Sequence, residues 1–275
     1  KNLIMLWELS FLKLIRGMKM VIRDNISGSE KLTLEALYYV KNNFSERFNF
    51  FEKIKRYKGE MPEVIKAVYL TLDMKGVDDV DSLIKKITDA KENAINNSSS
   101  IFKKDDVVTT ISYSSMVEMA IKRNSDKIVG VNVLESRPMF EGRLLAKSLA
   151  SNGINVRLFT DASIYHALKG STMTLVGMDA LLKDFSLLHK VGTFPLALAS
   201  REFSVPFYSI GHSFKFYDKK IKLRRHSPSE ICEKGVNFTC INYYFDITPS
   251  RFITAYITDL GVFTKNGFRD LLNYF

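Results

Sequence analysis

The run Val107-Val108-Thr109-Thr110-Ile111-Ser112 is followed, after a helix-length interval, by Lys127-Ile128-Val129-Gly130-Val131-Asn132-Val133-Leu134, and these two stretches decide the architecture of the second half of the chain. Both are short and rich in β-branched residues, whose restricted χ1 suits a pleated strand better than a helical turn. The same signature recurs in residues 154–160, 172–177, 206–210 and 254–258. Between these runs, residues 140–151 carry helical periodicity and stop before Gly153, a glycine well placed to end a helix, and residues 187–200 carry it too. Strands alternating with helices predict an α/β domain built on a parallel, doubly wound sheet. In such sheets ligands lie beyond the carboxyl ends of the strands, where the loops converge.

Towards the N-terminus the pattern changes. Apolar residues recur at spacings of three and four through Leu32, Leu34, Ala36, Leu37 and Val40, and again through Val64, Ile65, Val68, Tyr69 and Leu72, which predicts helices. The polar stretch 93–106, with Asn96, Asn97, Ser98, Ser99 and Ser100 followed by Lys103, Lys104, Asp105 and Asp106, reads as the joint between the two halves. The expected organisation is an all-helical domain over residues 1–100 and a Rossmann-like domain over residues 101–275.

With 275 residues, 46% of them hydrophobic, the chain is long enough to bury a full core. Its two cysteines, Cys232 and Cys240, form no CxxC pair, so neither a disulfide framework nor a four-cysteine zinc site is expected, and a reducing cytoplasm fits best. The apolar start from Leu3 to Leu14 is broken by Glu8 and Lys13, and Arg16 and Lys19 follow it; it reads as a buried helix, with no membrane span expected. A net charge of +10 invites an acidic partner, yet the densest basic clusters, Lys219, Lys220, Lys222, Arg224 and Arg225, and Lys103 with Lys104, contain few stacking aromatics and read as solvated faces or a protein-binding rim. His166, His189, His212 and His226 are too far apart for a helical metal site. Neither GxGxxG after a strand nor GxxxxGK[ST] occurs, so no dinucleotide or nucleoside triphosphate is implied, and no cofactor is expected.

Nine stretches occur in a telling order: residues 110–115 (ThrIleSerTyrSerSer), 135–138 (GluSerArgPro), 142–147 (GlyArgLeuLeuAlaLys), 161–163 (AspAlaSer), 176–179 (ValGlyMetAsp), 189–193 (HisLysValGlyThr), 213–216 (SerPheLysPhe), 245–249 (PheAspIleThrPro) and 258–262 (ThrAspLeuGlyVal). Together they resemble the translation initiation factor 2B alpha/beta/delta family, which shares its fold with ribose-1,5-bisphosphate isomerase and methylthioribose-1-phosphate isomerase. The resemblance covers residues 105–275 well and the helical half loosely. The stretches at 213–216 and 258–262 look more like the initiation-factor branch than the isomerase branch.

That resemblance implies a regulatory-type subunit that binds initiation factor 2, through its alpha subunit, and forms a dimer or higher oligomer. Guanine-nucleotide exchange is not implied, because in the family it belongs to other, larger subunits. The isomerases need a thiol and a carboxylate facing each other across the sugar, and the family's cysteine falls at Ser112, whose hydroxyl is a far weaker acid than a thiol. The aspartate survives as Asp179, read either as a retained pocket carboxylate or as a helix-capping residue that orders the loop. The family's phosphate-clamping arginines are replaced: one element reads Ser27, Gly28, Ser29, and another reads Met61, Pro62, Glu63. Ser27 with Glu30 has capping-box spacing, and open amides around Gly28 suit a single anion, so a sugar phosphate or nucleoside monophosphate is the expected ligand class.

His189, Lys190 and Lys215 are expected to give that pocket a cationic lining. Arg137 is expected either to approach the pocket or to pair with an acid such as Asp161. The aromatics Tyr243, Tyr244 and Phe245 suit either a dimer face or the core. The rival activity is a sugar-phosphate isomerase of the ribose-1,5-bisphosphate type that uses Asp179 with an unfamiliar partner. A second rival is a ligand-sensing scaffold without a translation partner.

Overall fold

A computed structural model gives the fold, and it describes residues 21, 22, 28–264 and 267. The helix expected over Leu3 to Leu14, and Ser27, lie outside the described residues. Among those described, no helix is long and apolar enough to cross a membrane. The chain divides into two compact units, residues 1–88 and 89–275.

The first unit is helical, with α1 (Ser29–Asn42), α2 (Arg47–Tyr57), α3 (Pro62–Leu70) and the first part of α4 (Val77–Ser98). Leu32, Ala36, Leu37 and Val40 of α1, Phe50 and Ile54 of α2, and Val64, Ala67 and Val68 of α3 are buried, so the apolar stripes read from the sequence face inward. Tyr39 and Phe50 meet ring to ring at 4.3 Å. Pro62 occupies the first turn of α3, where a missing N–H costs nothing. The polar run expected as a joint is helical as far as Ser98, because its asparagines sit in the last turns of the amphipathic α4; the turn comes only afterwards.

The second unit is a three-layer α/β structure around a seven-stranded sheet. Its strands are β1 (Asp106–Ile111), β2 (Ile128–Leu134), β3 (Val156–Phe159), β4 (Met173–Val176), β7 (Phe207–Ile210), β10 (Ala255–Thr258) and β11 (Gly261–Phe263). They lie in the order β11-β10-β7-β4-β1-β2-β3, all parallel except β11. Side chains alternate between the faces with period two. Val108, Val131, Val133, Leu175, Ile210 and Ile257 pack with α5 (Ser115–Arg123) and α6 (Glu141–Ser151), whereas Ile111, Leu134, Val176, Phe207 and Tyr256 pack with α7 (Ile164–Leu168) and α8 (Thr193–Glu202).

A second sheet of four strands, in the order β8-β5-β6-β9, comprises β5 (Ala180–Leu182), β6 (Leu187–Lys190), β8 (Phe216–Tyr217) and β9 (Phe245–Thr248). It corrects the helix expected over residues 187–200: all four residues of β6 are buried in a sheet, and the helix begins only at Thr193. Sequence reasoning about the cysteines is corrected as well, since Cys232 and Cys240 are joined by a disulfide, with Cα atoms 6.4 Å apart. Two cysteines eight residues apart on either side of Gly235, at φ +86°, reach each other across a tight turn.

Candidate functional site

The order of the large sheet reverses between β1 and β4: from β1 the chain proceeds outward through β2 and β3, then returns to place β4 on the other side. Loops leaving the carboxyl ends of these two strands therefore part and leave a crevice. Ser112 stands at its β1 side, buried and at φ +71°, a left-handed conformation uncommon for a non-glycine residue. Its N–H donates to Ser136 Oγ at 2.7 Å, and Ser136 Oγ donates in turn to the Leu134 carbonyl at 2.9 Å. Ser136 is itself at φ +68°. Its amide and that of Arg137 donate to the two carboxylate oxygens of Asp161 at 2.8 and 2.6 Å. One aspartate thus fixes the turn after β2.

Arg137 does not pair with Asp161 through its guanidinium, because that carboxylate is occupied by backbone amides. Its exposed side chain lies 4.9 Å from the Phe140 ring. Helix α6 starts directly behind, and Gly142 must be glycine there: a Cβ would stand 1.9 Å from the Leu134 carbonyl oxygen. This close approach carries Glu141, the preceding residue, inward. Glu141 Oε1 meets Lys190 Nζ at 2.7 Å, with side chains 10% and 5% exposed, and Glu141 Oε2 has no hydrogen-bond partner.

On the β4 side, Gly177 is packed by Ser114 and by His189; a Cβ would come within 3.0 Å of the imidazole Nε2. His189 is buried on β6, and its Nδ1 lies 3.0 Å from Thr193 Oγ1. Since that hydroxyl donates to the Lys190 carbonyl at 2.6 Å, it accepts from Nδ1, which assigns the proton to Nδ1 and leaves the Nε2 lone pair facing Gly177. Burial pushes the His189 pKa down to about 3, assisted by the positive charges of Lys215 and then Lys190. The expected cationic lining is corrected in two places. His189 is neutral because a buried imidazole beside two ammonium groups cannot charge, and Lys190 is matched by Glu141. Lys215 is buried in the short turn Ser213–Lys215.

Asp179 follows β4 and is half-buried, and its amide donates to the Leu188 carbonyl at 3.0 Å. The helix-capping reading of Asp179 is corrected, because the element that follows is strand β5. The carboxylate that does cap a helix here is Asp246 of β9, which accepts from Gly192 N and Phe194 N at 2.8 and 3.1 Å, at the head of α8. Burial raises its pKa to about 6 against the pull of those amides.

Gly28 and Ser29 belong to the helical unit, where Gly28 is the N-cap of α1 and Ser29 is its first residue, buried. The capping-box spacing of Ser27 with Glu30 points to a cap one residue earlier than the Gly28 observed. Asp161 was expected as a partner of the Arg137 guanidinium and is instead bound by backbone amides, while Glu141 and Asp246 carry roles the motifs did not signal. Glu141 was within reach, because an acid beside Gly142 at the head of a predicted helix, close after a strand end, is where an inward carboxylate would sit.

The family description "Initiation factor 2 subunit family" matches residues 23–265. The chain belongs to this family. A protein of Pyrococcus furiosus described as eIF-2B subunit 2-like is 34% identical over 187 residues, which is 66% of this chain and 66%, just under two thirds, of that relative's own length. A ribose 1,5-bisphosphate isomerase of Methanocaldococcus jannaschii is 29% identical over 242 residues, covering 82% of this chain and 79% of its own. Among solved structures, translation initiation factor eIF-2B of Pyrococcus horikoshii superposes with a TM-score of 0.83 at 23% identity, over 92% of this chain and 97% of its own. That last likeness speaks to the fold. Family members thus include proteins named as initiation factors and proteins named as isomerases.

Proposed function

We propose that this protein is an initiation factor 2B-like regulatory subunit that binds initiation factor 2 through its alpha subunit, works as a dimer or higher oligomer in the cytoplasm, and keeps a degenerate isomerase pocket able to hold a phosphorylated small molecule. The observation that carries this reading is the hydroxyl of Ser112 at the position where the resemblance puts the isomerases' cysteine. At neutral pH an alcohol does not give up its proton to a neighbouring base as a thiol does. The charge balance of the crevice supports the same reading: Lys190 is held by Glu141 and His189 is neutral, so two phosphates on one sugar would find little uncompensated positive charge there. Lys215, together with backbone amides, is the proposed holder of a single anion, and Asp179 is proposed as a further residue of the pocket. Arg137, on the exposed turn after β2, and the Gly28–Ser29 end of α1 are proposed as further anion-holding elements.

Phosphorus NMR of the purified protein with ribose 1,5-bisphosphate, methylthioribose 1-phosphate and nucleoside monophosphates tests the enzymatic half. No product resonance is expected, and co-purification with initiation factor 2 at low salt is. Turnover that disappears in Asp179→Asn would replace this reading with the isomerase one, which the retained aspartate and the coverage of the M. jannaschii relative favour.

A further inference from the structure

We infer that Cys232 and Cys240 form a redox modification site whose state sets the order of the crevice wall around Lys190. The two cysteines lie in the stretch 218–244 between β8 and β9, whose only regular element is the turn Pro228–Glu230. That turn runs straight into the disulfide, since the amides of Ile231 and Cys232 both donate to the Pro228 carbonyl, at 3.1 and 2.9 Å. Glu230, at its end, reaches across to the returning arm. Its Oε2 accepts from Asn242 Nδ2 at 2.7 Å and its Oε1 accepts from the Tyr244 hydroxyl at 2.5 Å. The base of the excursion is closed by His226 N donating to the Asn242 carbonyl at 2.9 Å.

Tyr244 carries the connection inward. It is buried, its ring stacks on His226 at 3.6 Å, and Lys190 Nζ stands 5.5 Å from the ring centroid. Its carbonyl accepts the Val191 N–H at 2.8 Å, at the end of β6. Lys190 in turn holds Glu141. An unbroken path of contacts therefore runs from the cross-link through Glu230 and Tyr244 to Lys190 and Glu141. With so little regular structure in the excursion, the disulfide is what keeps its two arms in register, because a short closed loop removes most of the conformations that would part them.

Both cysteines are partly exposed, so a small thiol reaches them. In the reducing direction a thiolate attacks one sulfur and the S–S bond breaks, leaving a mixed disulfide and one protein thiolate, which takes up a proton. A second thiol then displaces the first as its own disulfide, so two small thiols are oxidised as Cys232 and Cys240 become thiols. The disulfide of the same small thiol drives the reverse. Any consequence for ligand holding rests on the crevice reading proposed above, whereas the order of the wall is measurable without a ligand, so the two ideas fail separately.

The test is hydrogen exchange followed by mass spectrometry on the full chain, oxidised with glutathione disulfide and then reduced with a phosphine. On reduction, exchange at Val191 and across residues 242–245 should become on the order of tenfold faster while β10 is unchanged. The double variant Cys232→Ser with Cys240→Ser should behave like the reduced protein. Glu230→Ala, in the oxidised protein, should release Val191 with the disulfide intact. Changes confined to residues 228–241, unaltered protection of Val191 in Glu230→Ala, or two free thiols by intact mass after oxidation would each overturn the inference.

Discussion

Removing the ammonium of Lys190 should be far more damaging than removing the whole ion pair. Lys190 Nζ and Glu141 Oε1 are 2.7 Å apart and both side chains are almost fully enclosed. Two unit charges about 4 Å apart in a medium of effective dielectric about 20 attract by about 4 kcal/mol, which is similar to what it costs to strip both of water, so the intact pair contributes little net stability. Lys190→Met keeps the length of the side chain but strands the carboxylate, and Glu141 Oε2 already lacks a hydrogen-bond partner. The expected loss is about 3–5 kcal/mol, the usual consequence of leaving a buried charge without its counterion. For a unit of this size that corresponds to a drop in Tm of about 10 °C. The double variant Lys190→Met with Glu141→Leu should recover most of the loss and sit within about 2 kcal/mol of the parent. Urea unfolding followed by circular dichroism measures Lys190→Met, Glu141→Leu and the double variant. Additive losses, with the double variant as damaged as the two singles combined, would refute the argument; so would a Lys190→Met variant within about 1 kcal/mol of the parent.

Three further outcomes follow from the same geometry. His189, ordinarily titrating near 6.5, is held at about 3, so the unfolded chain binds a proton that the native state refuses, and stability falls as pH drops below 6.5. At pH 4.5 that loss is about 3 kcal/mol, and His189→Gln should be markedly less acid-sensitive than the parent in urea melts; parallel pH profiles would contradict the assignment. Asp246 has the opposite sign. Its carboxyl is pushed up to about 6, so its contribution is fully present below pH 3.8 and fades as pH rises through 6, and Asp246→Asn should gain on the order of 2 kcal/mol relative to the parent between pH 4 and pH 7 in the same assay. Gly142→Ala should cost about 3 kcal/mol, because the new Cβ meets the Leu134 carbonyl, Ser136 Oγ and the backbone of Glu135 at once; an unchanged Tm would show that α6 can withdraw freely from the end of β2.

Much of the large sheet could be read directly. β1, β2, β3, β4, β7 and β10 are short runs rich in β-branched, aromatic and other apolar residues, and each was expected within two residues of where it lies. The small sheet was not legible, for a physical reason. Its strands are two to four residues long, and Leu187-Leu188-His189-Lys190, buried on both faces, has no alternation to separate it from the helix that follows so closely. At the crevice, Ser112, Asp179, His189, Lys190 and Lys215 were found through motifs. What the motifs could not supply was pairing: Lys190 reads as a cation until Glu141, 49 residues earlier, is seen against it. The helix-capping role of Asp246, and the backbone partners of Asp161 in place of the expected Arg137 guanidinium, were not legible because a carboxylate bound by backbone amides leaves no complementary residue type in the sequence.

The order in which the large sheet is filled also matters while the chain is being made. β1 lies in the interior of the sheet and is the first of its strands to be synthesised, β2 and β3 then extend the sheet on one side, and the opposite edge of β1 stays bare until Met173 and the rest of β4 have been added. That edge is Val107-Val108-Thr109-Thr110-Ile111, a β-rich segment without a charge, the composition most prone to pair with another chain when uncovered. A nascent chain halted soon after Phe159 would present this template to its neighbours on the polysome. Fragments ending there should precipitate, whereas fragments extended through β4 should not, and the interval between these two points is where a chaperone would have the most to do.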